Sequence, residues 1–341
     1  MKAALLCLAL AVLLAGCGRT TQAREPDLVV SGDAAVATRV APDRQSRGVR
    51  IAAARFVFIT HGQASDSFWN IVRRGITEAR RQTGVEVSYR APDRFSLERM
   101  RRFIDQAVAD RPDGLVISLP DATALKPSIE AAVAADIPVI TINSGSDEFR
   151  KLGVLAHVGQ PEYEAGVEAG ERMARAGVRR ALCVNQEDGN IGLDQRCRGL
   201  GDGLAKSGGT MKALPVPLQD ARLAQTRMAE ELGTDDYDGI LTLGPGGALP
   251  ALDAVRAGGE DVKLATFDLS PDVLAAVRDG KMLFAVDQQP YLQGYLPVML
   301  LAERARYGVF PRKGELIPTG PHFVTKADAA DVLRLSAEGF R

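Results

Sequence analysis

The chain is poor in the residues from which metal centres and histidine-driven active sites are built. Among 341 residues it has three histidines, four cysteines and one tryptophan, and aromatics make up only 5%. So few ligating side chains leave little room for a metal site or for histidine-relayed catalysis, and we expect neither metal nor cofactor. Any excess of charge is missing too, since 42 basic against 43 acidic residues give a formal charge of −1. No global field points to nucleic acid or to an anionic membrane. The GxSxG elbow, P-loop, HExxH, CxxC and complete GxGxxG motifs are absent, and no nucleophile–base pair is visible, so the chain does not read as an enzyme. No period of 20–50 residues recurs, which excludes a solenoid. What is present is ordinary: 46% hydrophobic and 25% charged residues suit a soluble globular body of roughly two domains.

The chain opens MKAALLCLALAVLLAGC. Its apolar run, residues 3–14, is 12 residues long. A helix of that length is too short to cross a hydrocarbon layer of roughly 30 Å. With Lys2 before it, the run reads as a signal peptide covering residues 1–16. Leu14-Ala15-Gly16-Cys17 looks like a bacterial lipobox, in which the Cys17 thiol is lipidated and the chain is cut before it. The alternative is a chance Ala-Gly-Cys at an ordinary cleavage site. Two or more acyl chains make a stable anchor, so the expected location is the outer side of a membrane, held there by lipid. Residues 18–50 lack a period and carry Pro26 and Pro42. We read 17–50 as anchor and flexible tether.

Cys7 leaves with the signal and Cys17 is taken by lipid. Cys183 and Cys197 remain, an even pair in an exported protein, where a disulfide can persist. Closing that 15-residue loop would stabilise the fold by roughly 3 kcal/mol in the chain-entropy model. Two buried free thiols are the alternative.

From residue 55 short apolar runs alternate with helical stretches. RFVFIT (55–60), VEVSY (85–89), GLVISL (114–119) and IPVITI (137–142) form a first set. VLAHV (154–158) begins a second, continued by RALCV (180–184), 214–217, GILTL (239–243), VKLATF (262–267), MLFAVD (282–287) and HFVT (322–325). Runs apolar throughout indicate parallel strands covered on both faces, and the intervening 10–17-residue helices imply βαβ units. We therefore expect an α/β protein with two doubly wound parallel-sheet lobes.

In such sheets ligands bind beyond the carboxyl ends of the strands. THGQASDSFWN follows the first strand and sets Phe68 and the lone Trp69 beside Asp66. Aromatic faces and a carboxylate suit a ring bearing hydroxyls; equally, the stretch could be a hydrophobic staple with Asp66 or Ser67 as N-cap. Asn143-Ser144 follows ITI, with an ordinary turn as the alternative. Asn190 and Arg196 follow the Cys183 strand. Arg196 offers a planar fork for hydroxyls or a carboxylate, or a surface salt bridge. Asp268 and Gln288 follow two later strands, where caps and turns are the competing roles. His61, His157 and His322 are isolated and read as structural.

Taken in order, Ser67-Phe68-Trp69, DGLVIS (113–118), IPVITIN (137–143), RCRG (196–199), ATFD (265–268) and AVDQQP (285–290) resemble the type I periplasmic binding proteins, most closely the ribose-binding, simple-sugar branch. The resemblance covers about 51–341. It implies that Phe68 and Trp69 sandwich a sugar ring, and that Asn143, Arg196, Asp268 and Gln288 meet its hydroxyls. Ser144 stands where ribose binders have arginine. Gln219 replaces a common aromatic and Gly244 a common asparagine. A first loop about two residues longer adds Gln63 and Asp66 as contacts. Those changes argue against assuming ribose.

The resemblance also implies three crossovers between lobes, near 143–145, 288–290 and 318–320. The expected domains are 51–143 plus 289–318 and 144–288 plus 319–341. The expected function is that of a monomeric, lipid-anchored receptor. It would capture a small sugar or polyol by hinge closure and deliver it to an ABC transporter permease. The alternatives are service to a chemoreceptor or sensor kinase, and a nucleoside or furanose signal as ligand. A nucleic-acid partner is not expected.

Overall fold

The computed structural model describes residues 54–62, 67–216, 220–258 and 261–341. The expected signal segment and tether, with Cys17, and the residues Gln63, Asp66 and Gln219 lie outside them.

The first sheet contains β1 (Arg55–Ile59), β2 (Glu86–Arg90), β3 (Gly114–Ser118), β4 (Val139–Ile142), β5 (Ala156–Gly159) and β11 (Glu315–Pro318). Their order is β11-β5-β4-β3-β1-β2, parallel throughout. The second sheet contains β6 (Arg180–Asn185), β7 (Thr210–Pro215), β8 (Gly239–Thr242), β9 (Lys263–Phe267), β10 (Phe284–Asp287) and β12 (His322–Thr325). Its order is β12-β10-β9-β8-β6-β7, with β12 the one antiparallel member. Interior strands are buried at every position in GLVIS of β3 and VITI of β4, and everywhere but the first residue in β1, β6 and β9, where Arg55, Arg180 and Lys263 reach outward. The edge strands β2 and β7 carry Glu86, Arg90 and Lys212 and are only partly covered. Polar side chains at a sheet edge also hinder pairing with another chain.

Helices cover both faces of each sheet. In the first lobe α1 (Ser67–Thr83) packs on α9 (Pro290–Tyr307), and α2 (Leu97–Ala109) packs on α3 (Ala122–Ala134). In the second, α4 (Glu162–Arg175) packs on α5 (Ile191–Ala205), α6 (Ala221–Leu232) on α7 (Pro245–Gly258), and α8 (Pro271–Arg278) on α10 (Ala329–Ala337). Each lobe thus has two apolar layers, one on either side of its sheet. Starts are fixed by side-chain caps: Ser96 accepts from Arg99 N–H, Asp121 from Ala124 N–H, and Ser270 from Val273 N–H. Each satisfies a donor that the first turn cannot pair internally.

The α/β architecture with two parallel-sheet lobes is as expected, but the first crossover is not near 143–145. The run VLAHV forms β5, which pairs with β4 and with β11 in the first sheet. Residues 144–159 therefore belong to the first lobe, and the chain leaves it only between β5 and α4. Periodicity shows that a run is a strand, not which sheet accepts it. Strand β11 was not expected; it completes the far edge of the first sheet beyond β5. The three crossing segments lie side by side. Thr319 N–H donates to the Gly159 carbonyl (2.9 Å), Thr319 Oγ1 to the Gln288 carbonyl (2.7 Å), and Gln289 Nε2 to the Thr319 carbonyl (2.8 Å).

Candidate functional site

A cleft of about 320 Å³ opens where the two sheets present their carboxyl ends. Its walls come from the turns after β1 (His61), β4 (Asn143), β6 (Gln186, Glu187), β8 (Gly244–Gly246), β9 (Asp268) and β10 (Gln288), from Phe95 ahead of α2, and from the first turn of α1. This is the position at which open parallel sheets hold ligands, and the volume is that of a small-molecule site.

Phe68 and Trp69 line the cleft and also belong to the first lobe's core, 7% and 3% exposed. Their rings meet edge to face at 5.0 Å, and Trp69 meets the His61 imidazole in the same way at 5.0 Å. The staple and ligand-facing readings are thus compatible: the first helical turn is anchored by rings that also form cleft wall. Gly62 is required here, because a Cβ at that position would overlap the Trp69 indole.

Asn143 and Asp268 both line the cleft with left-handed backbones, φ 64° and 63°. Such conformations persist where surrounding contacts determine them. Asn143 Nδ2 donates to Gln288 Oε1 (3.1 Å) and Gln293 Oε1 (3.2 Å), while its carbonyl lies 3.1 Å from His157 Nε2. The carbonyl can only accept, so that imidazole nitrogen carries the proton. Gln288 Nε2 donates to Asp268 Oδ1 at 2.6 Å. Asn143, Gln288 and Asp268 therefore form one chain of hydrogen bonds across the cleft wall.

Arg196 is 2% exposed and lines the cleft, yet its fork is gripped from beneath. Nε and Nη2 donate to the two Glu162 oxygens at 2.6 and 3.0 Å, Nη1 reaches the Leu243 carbonyl at 3.4 Å, and the guanidinium sits 4.4 Å over the Phe267 ring. Burial works against its charge, but Glu162, with Asp268 and Glu187, outweighs this and raises its pKa. The surface-salt-bridge alternative is replaced by a fully buried pair. Glu162 was not anticipated. It stands in the first turn of α4, where an acid is expected simply to complement the helix dipole.

Ser144 and Asn190 are buried but do not line the cleft. Ser144 Oγ donates to Asn190 Oδ1 at 2.9 Å, and Asn190 caps α5 by accepting from Gly192 N–H at 3.1 Å. They join the lobes beside the cleft, together with Gln195 Nε2 to Asp147 (2.8 Å) and Ile191 N–H to the Pro120 carbonyl (2.8 Å). Cys183 and Cys197 are bridged, with Cα atoms 5.6 Å apart, tying β6 to α5 one residue from Arg196.

Several wall residues were not singled out as ligand contacts, among them His61, Phe95, Gln186 and Glu187. His61 Nδ1 meets Ser118 Oγ at 2.8 Å, and its Nε2 lies 3.5 Å from Glu187 on the other lobe. Burial, helped by Arg196, lowers the His61 pKa to about 3, so the ring is neutral; burial raises that of Glu187. Gln186 fills the space over Gly244, where a Cβ would stand 2.8 Å from its Nε2. The Gln186 amide, from the turn after β6, thus occupies the room beside the glycine. Among the described residues no group of His, Cys, Asp and Glu is arranged to hold a metal ion, and no helix is long and apolar enough to cross a membrane.

Residues 56–308 match the periplasmic binding protein domain family, and the chain belongs to that family, on its type I, ribose-binding-like branch. It is 26% identical over 241 residues to the ribose import binding protein RbsB of Bacillus subtilis, covering 68% of this chain and 75% of that protein. It is 22% identical over 307 residues to the xylose/arabinose-binding protein XylF of Sulfolobus acidocaldarius, covering 83% and 73%. These relatives are binding proteins, not enzymes. Among solved structures, a carbohydrate transporter from Acidothermus cellulolyticus 11B in complex with myo-inositol is 35% identical. It superposes with a TM-score of 0.79 over 85% of this chain and all of that one.

Proposed function

We propose that the chain is a lipid-anchored receptor that closes its lobes around one small sugar or cyclic polyol and delivers it to an ABC importer. The observation that carries this is the wall of the cleft. The aromatic side chains of Phe68, Trp69 and Phe95 share the lining with Asp268, Gln288, Asn143 and Arg196, around a space of about 320 Å³ that suits a single ring. Rings cover the C–H surface of a polyol, carboxylate and amide groups satisfy its hydroxyls, and Arg196 has five donors for the three acceptors it already meets. A site built to bond hydroxyls rejects analogues lacking them by up to about 10⁴–10⁵-fold. Gln63 and Asp66, outside the described residues, are kept as further ligand contacts on the sequence resemblance alone, while Ser144 and Asn190 act by joining the lobes. The myo-inositol complex of the 35% identical relative supports a cyclic polyol.

Closure is driven by the ligand's higher affinity for the closed form, and the three adjacent crossing segments supply the hinge. Calorimetric titration of residues 18–341 with myo-inositol, D-ribose, D-xylose and D-glucose is the test. One of them binds saturably at one per chain; no binding to any of the four overturns the reading. Palmitate labelling of wild type but not of Cys17→Ala tests the anchor.

A further inference from the structure

The last residues of the chain leave α10, in the second lobe, and end against helices of the first. The Glu338 carbonyl accepts from Arg74 Nη1 on α1. Gly339, at φ 79°, lies so close to that guanidinium that a Cβ would collide with it. The Phe340 ring stands 5.2 Å from Tyr291 of α9, edge to face. Arg341 reaches β10, its Nε 3.5 Å from Asp287 Oδ2.

Asp287 explains why that contact matters. Its side chain is wholly buried at the end of β10, beside the second crossing segment. Oδ1 accepts from Gln289 N–H at 2.7 Å. Oδ2 has no hydrogen-bond partner; Arg341 is its ion-pair partner, and His322 across the β10–β12 pairing also favours its charge, less strongly. A buried carboxylate left without a counter-charge is strongly destabilising. Around the pair, Phe68, Ile71, Asp268, Leu269 and Pro290 enclose a space of only about 10 Å³. Phe68 and Asp268 are also wall residues of the main cleft. Arg341 therefore backs the wall whose inner face a ligand meets.

We infer that residues 338–341 form a clasp from the second lobe onto α1 and α9 that favours the closed arrangement, with Arg341 as a positioning residue for the cleft wall. The inference rests on the receptor reading for its purpose, but the contacts exist whatever the ligand. Separating the lobes must break the Arg74 and Tyr291 contacts. Asp287 and Arg341 both sit in the second lobe and stay paired, so the clasp shifts the open–closed balance through its Arg74 and Tyr291 contacts, without touching the ligand.

The test uses the whole chain with Phe340→Ala/Arg341→Gln, Arg341→Gln alone, and Arg341→Lys as the conservative change. Arg74→Gln, on the exposed side of α1, cuts the clasp from the other lobe and leaves Asp287 paired. Small-angle scattering without ligand reads lobe separation. Fluorescence of Trp69, the chain's one tryptophan, reads release of myo-inositol. The double variant and Arg74→Gln should have a larger ligand-free radius of gyration than wild type. The double variant should release myo-inositol about tenfold faster, the effect of 1.4 kcal/mol, with Arg341→Lys close to wild type. Unchanged scattering and release in the folded double variant would overturn the clasp. A Lys variant no better than the Gln variant would overturn the positioning role. If wild type ignores myo-inositol, that polyol assignment falls while the scattering still decides the clasp.

Discussion

The Arg196–Glu162 pair shows how the cleft obtains a fixed donor in a low-dielectric wall. Both side chains are essentially inaccessible, at 3% and 0% exposure, and each depends on the other. Removing one partner of such a pair leaves an uncompensated charge. Glu162→Ala should therefore cost about 3–5 kcal/mol of stability, read by urea unfolding, and should weaken polyol binding as the fork loses its orientation. A loss under 1 kcal/mol would show that the pair is not the anchor. Arg196 was legible in the sequence because its RCRG setting follows a strand. Glu162 was not, since nothing in a helix's first turn announces a partner on another helix. His61 was read as structural for want of neighbours in sequence; its neighbours Trp69 and Glu187 are assembled only by the fold.

His157 permits a pH prediction. Its ring is buried between Thr141 and the Asn143 carbonyl, and burial lowers its pKa from 6.5 to about 3. The unfolded chain takes up the proton first on acidification. The stabilisation is thus complete above pH 6.5 and declines as pH falls toward 3. The slope from this one group approaches about 1.4 kcal/mol per pH unit. His157→Gln should flatten the stability profile between pH 5.5 and 4, measured by chemical unfolding at each pH. An unchanged slope would mean that His157 does not carry it.

Helix α5 carries the Asn190 cap and Arg196, and two devices hold it. The disulfide ties it to β6, and glycines seat it on α4: a Cβ at Gly199 would collide with the Tyr163 carbonyl, and one at Gly166 with that of Arg196. Replacing Cys183 and Cys197 together by Ser should lower stability by roughly 3 kcal/mol. It should also weaken polyol affinity, because a loosened α5 must be ordered on binding. Equal affinity with and without the bridge, by calorimetry, would remove the second claim. The pairing was readable from cysteine number and compartment. The closeness of α4 and α5 was not, because glycines inside a helical pattern usually suggest weakness rather than contact.

The elements were mostly legible because apolar runs and caps are local properties. Lobe membership was not, because it is decided by which distant strand offers an edge. β5 looks like the start of a new set and instead joins the old one. The contacts that hold the lobes together are similarly nonlocal. Ser144→Ala removes the inter-lobe Ser144–Asn190 bond, together with the longer contact of Ser144 Oγ to Asn143 Oδ1 at 3.2 Å, while leaving the α5 cap in place. It should weaken myo-inositol binding about fivefold, within the usual worth of one such bond, and should enlarge the ligand-free protein in solution. Unchanged affinity and size would assign closure to the other contacts.

The position of β11 has a consequence for how the chain acquires this structure. The first lobe needs α9 to cover α1 and β11 to finish its sheet, yet both follow the whole of β6–β10 along the chain. As the chain emerges from its N-terminus, that lobe waits with one flank of its sheet and one face of α1 unsheathed, while the second lobe assembles. Pairings so distant in sequence form slowly and leave apolar surface open to wrong partners. The interleaving that places crossing segments beside the cleft also makes the two lobes one folding unit, neither of which can be finished before β11 and β12 have been made.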